Sequence, residues 1–149
     1  MIEIVTTREQ LERCWAIRLE VFVVEQLVPE SEEIDALDTA PTTTHVLVSR
    51  DGVDLGTGRL LPDSPGHVHI GRVAVRAAAR RTGVGRELMD ALAAVALDHA
   101  DEDGKVAIEL SAQEQAMPFY AALGYEIVSG DRYLDCNIWH QDMVLHLVK

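Results

Sequence analysis

The sequence is poor in cysteine and in positive charge, and it has no long apolar run. Its two cysteines, Cys14 and Cys136, stand far apart and outside any Cys-x-x-Cys spacing, which argues against a disulfide framework and a zinc site. No uninterrupted apolar stretch approaches the roughly 20 residues that a membrane-spanning helix needs. Residues 1–6 lack the basic and apolar regions of a secretory signal. We therefore expect a cytoplasmic protein without a metal and without membrane association.

Basic residues are scarce, and they are unevenly distributed along the chain. The chain has 13 basic and 25 acidic residues and a net charge of −12, which argues against binding to nucleic acid or to an anionic membrane. Five cations nevertheless share a stretch without any acid: Arg72, Arg76, Arg80, Arg81 and Arg86. Six carboxylates crowd an earlier stretch: Glu25, Glu30, Glu32, Glu33, Asp35 and Asp38. The first group predicts a local anion site. The second predicts either a surface for a cationic partner or a solvated acidic loop.

The apolar periodicity predicts a single mixed α/β domain over residues 1–149. Helices are expected over 8–26, 80–100 and 113–123, and strands over 2–5, 45–50, 55–61, 68–76, 105–110, 125–128 and 142–148. Asp51-Gly52 is a strong hairpin signal. Residues 27–43, rich in acids and containing two prolines, predict a long irregular loop.

The most informative segment runs from a predicted strand through basic residues and glycines into a predicted helix. The first turn of a helix leaves backbone N–H groups without partners and carries partial positive charge, so it favours phosphate binding. Gly83 and Gly85 would bare that backbone. A dinucleotide fingerprint would need glycine at Leu88, and a Walker-type motif is absent. Glycines at a helix start are often only structural, but the basic run favours a diphosphate site.

Two blocks of sequence carry a resemblance to a known family. Arg80-Arg81-Thr82-Gly83-Val84-Gly85 resembles the acetyl-CoA signature of the GNAT superfamily, in which Gln or Arg, two variable residues, Gly, one variable residue, and Gly or Ala cradle the pyrophosphate. Residues 113–125 resemble the family's Asn-x-x-Ala-x-x-x-Tyr-x-x-x-Gly-Phe, with Gln113 and Tyr125 in place of the terminal Asn and Phe. Residues 18–26, 32–38, 70–75 and 110–113, with His45, extend the resemblance to the ElaA-like subgroup over essentially the whole chain.

The resemblance implies a GNAT fold with a mixed, mostly antiparallel sheet of about six to seven strands flanked by helices. It implies an N-acetyltransferase that moves an acetyl group from acetyl-CoA to a primary amine, by direct attack within a ternary complex. The acceptor, a small molecule or a protein amine, stays open, as does the oligomeric state, a homodimer being one alternative. The alternative function is a non-catalytic acyl-CoA-binding or interaction module.

The resemblance also assigns roles to individual residues. Tyr120 is expected to protonate the departing sulfur, since a phenol with a pKa of about 10 stays protonated at neutral pH; the alternative is a packed aromatic. The strand at 73–75 is expected to separate from its neighbour and to pair with pantetheine. The expected contacts of the donor are Val73, Ala74, Val75, Arg80, Arg81, Thr82, Gly83, Val84, Gly85, Arg86, Gln113 and Phe119.

The acceptor side is less defined by the sequence. Candidates for the general base are Glu25, His45, Glu109 and His140, of which we predict His45 and Glu25 as catalytic residues. Arg18 and Glu25 share a face of the first predicted helix, so both are expected to point inward and to be paired or functional. The alternatives are a pair of Arg18 with Glu25, or pairs made with Arg59 and Arg72 from adjacent strands. The expected acceptor-binding residues are Arg18, Glu25, Arg59, Arg72 and His140.

Overall fold

The computed structural model describes residues 1–149, and its centre is one mixed sheet. The eight strands are β1 (Ile2–Ile4), β2 (Thr44–Arg50), β3 (Val53–Ser64), β4 (His67–Val75), β5 (Lys105–Gln113), β6 (Glu126–Ile127), β7 (Tyr133–Asp135) and β8 (Ile138–Val148). Their order is β1-β2-β3-β4-β5-β8-β6, and β7 also pairs with β8. Only β4 and β5 run parallel. The expected fold class is confirmed, with β7 as a strand that the sequence did not predict.

The helices are α1 (Arg8–Arg18), α2 (Glu30–Glu33), α3 (Val84–Leu97) and α4 (Met117–Ala122). The first predicted helix continues past α1 as a wider π-helical segment, Leu19–Glu25. Residues 27–43, expected to be irregular, contain α2 and a 3₁₀ turn over Ala36–Thr39. The expected hairpin at Asp51-Gly52 is confirmed, with φ of 52° and 77° at these two residues. No helix is both long enough and apolar enough to span a bilayer.

Helix α3 packs very closely on one face of the sheet. A Cβ on Gly56 would lie 2.9 Å from Val84, and a Cβ on Gly58 would lie 2.9 Å from Leu92, so both glycines of β3 are needed for this approach. Val84 and Leu92 belong to the larger core cluster, of 18 buried residues. On the other face, α1 builds a smaller core. The sheet is thus covered by α3 on one face and by α1 on part of the other.

The strands β4 and β5 separate half-way along their length. They pair only from His67↔Ala107 to Ile70↔Leu110, although β4 continues to Val75 and β5 to Gln113. A bulge in β4 accompanies the separation: Arg59 pairs with Gly71 and Thr57 with Ala74, so β4 has one extra residue there, and Arg72 has a φ of 54°. A bulge bends and twists its strand. The gap beyond Ile70 and Leu110 is called the opening below, and it confirms the expected separation at residues 73–75.

Candidate active site

Helix α3 begins beside the opening without a cap. Gly83 is its N-cap residue, with a φ of 89° and no side-chain capping bond. The first helical hydrogen bond is donated by the amide of Glu87 to the carbonyl of Gly83, at 3.0 Å. The amides of Val84, Gly85 and Arg86 therefore have no partner within the helix. The helix starts later than predicted because Arg81, with a φ of 64°, and Gly83 both adopt the left-handed conformation.

The two glycines of this turn have different roles. A Cβ on Gly83 would have one neighbour within 4 Å, an Arg50 nitrogen at 3.8 Å. Space is therefore available, and the positive φ is the reason for glycine at this position. A Cβ on Gly85 would lie 3.1 Å from the ring of Phe119, so Gly85 lets α4 pack against the start of α3. Arg50 fastens the turn, since its Nη1 donates to the Thr82 carbonyl at 3.1 Å. No motif or spacing in the sequence pointed to that role of Arg50.

The run of arginines is mostly neutralised within the protein. Arg76 lies 3.1 Å from Glu20 and Arg80 lies 2.8 Å from Glu25. Arg86 faces Asp90 at 4.0 Å, and Arg72 is turned towards the acidic segment. Arg81 makes no ion pair, and it lies in the turn that precedes Gly83. The five cations therefore do not form one anion site, because four of them face carboxylates. Arg81 is the one without an ion pair, and it lies beside the uncapped start of the helix.

Backbone and amide groups line the two sides of the opening. The amide of Arg76 donates to the Leu55 carbonyl at 2.9 Å, so by antiparallel alternation the N–H and C=O of Val75 point away from β3, towards the opening. Arg80 Nε donates to that carbonyl at 3.1 Å. On the side of β5, Gln113 is bonded to Gln26 in both directions, at 2.8 and 3.2 Å. The amide expected to contact pantetheine is thus paired in this structure.

Tyr120 lies in the larger core cluster but keeps a free hydroxyl. Its residue is 8% exposed, and its ring packs against Phe119 and Tyr125, with centroids 5.1 and 5.9 Å away. Its hydroxyl makes no hydrogen bond. The hydroxyl is nevertheless not among the fully buried polar atoms without a partner, which belong to Arg59 and Arg76. Burial raises the pKa of Tyr120 to about 12, so the phenol is protonated at neutral pH.

The acidic segment is folded onto the chain's own arginines. Arg18, 1% exposed, donates to Glu33 at 2.8 Å and to Asp38 at 2.7 Å. Arg59 donates to Asp38 at 2.9 Å and to Asp35 at 2.8 Å. The expected inward orientation of Glu25 is wrong, because Glu25 is exposed and pairs with Arg80; of the two alternatives for Arg18, the pair with Glu25 is therefore not formed.

Arg72 and His45 complete this network. Arg72 donates to Asp35 at 3.2 Å and to the carbonyl of Glu33 at 3.1 Å. His45 is buried, and its Nε2 donates to the carbonyl of Asp38 at 2.9 Å. Burial lowers the pKa of His45, so the ring is neutral at pH 7. Glu33, Asp35 and Asp38 are therefore paired with arginines of the same chain. For these three residues, both expectations, a solvated loop and a surface for a cationic partner, are wrong.

His140 lies at the end of the opening, opposite Gln113 in the pairing of β5 with β8. It is 8% exposed. Its Nδ1 donates to the Ile138 carbonyl at 2.7 Å, which leaves the lone pair on Nε2 in the neutral ring. That Nε2 makes no hydrogen bond and, like the Tyr120 hydroxyl, is not among the fully buried unpartnered atoms. Glu109, by contrast, lies in the paired part of β4 and β5 and contacts His69 at 3.2 Å.

Residues 4–147 match the family model of the acetyltransferase (GNAT) domain. The chain belongs to the GNAT N-acetyltransferase family. It is 37% identical to an uncharacterised N-acetyltransferase, YjcF, of Bacillus subtilis, over 95% of this chain and 96% of YjcF. The crystal structure of an acyl-CoA N-acyltransferase from Pseudomonas aeruginosa is similar, with a TM-score of 0.80, 34% identity and coverage of 97% and 96% of the two chains.

Escherichia coli ElaA is also similar in structure, with a TM-score of 0.83, 28% identity, and coverage of 97% of this GNAT chain and 98% of ElaA. The recognised family and its ElaA-like subgroup are thus confirmed, and the chain is an enzyme of the GNAT type.

Proposed function

We propose that this GNAT enzyme transfers an acetyl group from acetyl-CoA to a primary amine by direct attack within a ternary complex, without a metal. The observation that carries the proposal is the separation of β4 from β5 beside the uncapped start of α3. A diphosphate at that helix start and a thioester between the two strands would then be joined through one opening.

On the donor side, the amides of Val84, Gly85 and Arg86 would donate to the diphosphate, with Arg81 as the uncompensated cation at the rim. The remaining donor contacts predicted from the sequence are retained in this proposal. Val75 offers a backbone N–H to the pantetheine arm, while its carbonyl is held by Arg80. Phe119 would form one side of the donor site at this turn, since its ring packs beside Gly85.

Tyr120 would serve as the general acid. Its hydroxyl is protonated at neutral pH, makes no hydrogen bond within the protein, and belongs to a ring fixed on both sides by aromatic contacts. The hydrogen bond from this phenol to the sulfur would strengthen as negative charge develops on the departing thiolate.

His140 would be the base that accepts the proton from the acceptor nitrogen. Among the sequence candidates, Glu25 is paired with Arg80 and His45 donates its Nε2 proton to a carbonyl. His140 instead has a free Nε2 lone pair, with the tautomer set by its bond to the Ile138 carbonyl. An unpaired ring nitrogen at the end of the opening can accept a proton directly or through water.

The test combines donor binding with turnover. Calorimetric titration with CoA should give saturable binding. Incubation of the enzyme with acetyl-CoA and a panel of small amines and lysine peptides should release free CoA, which a thiol reagent detects. Binding without release across the panel would favour the non-catalytic acyl-CoA-binding alternative. Absence of any CoA binding would overturn both functions.

A further inference from the structure

The strands β7 and β8 form a tight hairpin beside the opening. Cys136 and Asn137, with φ of 48° and 63°, make its two-residue turn, and Tyr133 pairs directly with His140. The two rings are nearly parallel, at 16°, with centroids 5.8 Å apart. Tyr133 therefore flanks the imidazole as a nearly parallel neighbour.

Tyr133 is anchored by its hydroxyl to two further strands. It donates to Asp142 Oδ1 at 2.6 Å and is also bonded to the hydroxyl of Ser111. Because an ionised carboxylate only accepts, Tyr133 gives its proton to Asp142 and receives one from Ser111. Ser111 pairs with Asp142 across β5 and β8, one residue beyond the last contact of β5 with β4. The anchor thus lies where the opening begins.

The tip of the hairpin is fastened on the other side of the opening. The thiol of Cys136 donates to Glu32 at 2.8 Å, and the carbonyl of Glu32 accepts from Arg72 of β4 at 3.1 Å. Tyr133 itself is 37% exposed, so its two hydrogen bonds are not required to satisfy a buried hydroxyl. They have the effect of fixing one ring against another.

We propose that Tyr133, anchored by Asp142 and Ser111, is a positioning residue that holds the His140 ring in place for proton transfer from the acceptor amine. This inference rests on the proposed function, in which His140 is the base. The bond from Nδ1 to Ile138 sets the tautomer, and the stacked Tyr133 ring restricts rotation about the last side-chain torsion. Together they direct Nε2 in one orientation.

The test is a double-mutant cycle in the full chain. Tyr133→Phe keeps the ring and removes both anchoring bonds, so kcat should fall about three- to tenfold while KM for acetyl-CoA and the Kd for CoA stay unchanged. In a His140→Gln background the same change should have no further effect, since Tyr133 acts through His140. Leu134→Ala, an exposed neighbour on the same strand, is the control and should leave kcat unchanged.

Unchanged kcat in Tyr133→Phe, or an equal loss in both backgrounds, would overturn the positioning role. Full turnover in His140→Gln would overturn it together with the role of His140, whereas the donor site would still stand on CoA binding. A readout without turnover separates the two proposals. Carboethoxylation of His140 by diethyl pyrocarbonate, followed by peptide mass spectrometry, should be faster in Tyr133→Leu; an unchanged rate would mean that Tyr133 does not hold the ring.

Discussion

Gln26 and Gln113 exchange two amide hydrogen bonds, of 3.2 and 2.8 Å, at the far end of the opening. Gln26 ends the extension of α1, and Gln113 ends β5. If Gln113 contacts the pantetheine arm, as proposed, then this pair must break when the donor binds.

Removing Gln26 should therefore favour donor binding. We expect Gln26→Ala to lower the Kd for CoA by about three- to tenfold, since one or two neutral hydrogen bonds no longer compete. Isothermal titration calorimetry measures this change. Gln141→Ala, which removes an amide that does not touch Gln113, is the control. A higher Kd for CoA in Gln26→Ala would show that the pair persists in the complex.

Tyr120 offers a test of the general acid. Tyr120→Phe keeps the ring packing and removes only the hydroxyl, so kcat should fall by about tenfold or more with little change in the Kd for CoA. Steady-state release of free CoA gives both values. The matched control is Tyr125→Phe, which removes a hydroxyl from the neighbouring aromatic. Equal turnover of Tyr120→Phe and the parent would remove Tyr120 from the mechanism.

Gly85 should tolerate a side chain only when Phe119 is shortened. Gly85→Ala is expected to lower the free energy of unfolding, because the new Cβ would lie 3.1 Å from the Phe119 ring and would force that ring to move. Urea unfolding in a Phe119→Leu background should show a smaller loss. Gly130→Ala, where a Cβ would meet no atom within 4 Å, is the control. Identical losses in both backgrounds would contradict the packing role.

The ion pairs of Asp38 predict a dependence of stability on pH. Burial acts to raise the pKa of Asp38, but Arg18 and Arg59 outweigh it and lower the pKa to about 2. A depressed carboxyl pKa stabilises the folded state above the unfolded pKa of about 3.9. The contribution of about 2 to 3 kcal/mol should be lost as the pH falls from about 4 towards 2.

Urea unfolding between pH 7 and pH 2 measures this contribution. Asp38→Asn should lower the free energy of unfolding at pH 7 by about 3 kcal/mol, because it leaves buried arginines uncompensated, and it should flatten the pH dependence. Asp131→Asn, an exposed carboxylate with no ion pair in the structure, is the control. A pH dependence as steep in Asp38→Asn as in the parent would contradict the assignment to Asp38.

Local patterns were sufficient to predict most of the fold. The helix α3, the hairpin at Asp51-Gly52 and the glycines before the helix follow from short-range periodicity and backbone preferences. The π-helical widening after Arg18 and the late start of α3 did not follow, since they depend on backbone conformations that apolar spacing does not encode. The hairpin of β7 with β8 was missed because its turn is Cys136-Asn137 instead of a glycine-containing pair.

The contacts of the polar side chains were predicted less well, because they join distant parts of the chain. Helical spacing placed Glu25 near Arg18, but the carboxylates that pair with Arg18 come from residues 33 and 38, in a segment without apolar periodicity. A residue such as Asp142 gave no sequence signal, since it gains its partner only when β7 folds back on β8. Tertiary pairing of charges and hydroxyls cannot be derived from spacing alone.

The extra residue in β4 exchanges the two sides of one strand. Ile70 belongs to the core under α3, whereas Ala74, an even number of residues later, belongs to the core under α1. In a regular strand both would face the same way. A single inserted residue thus lets β4 contribute side chains to both cores. Without that residue, Ala74 would face the same side as Ile70, and the core under α1 would lose it.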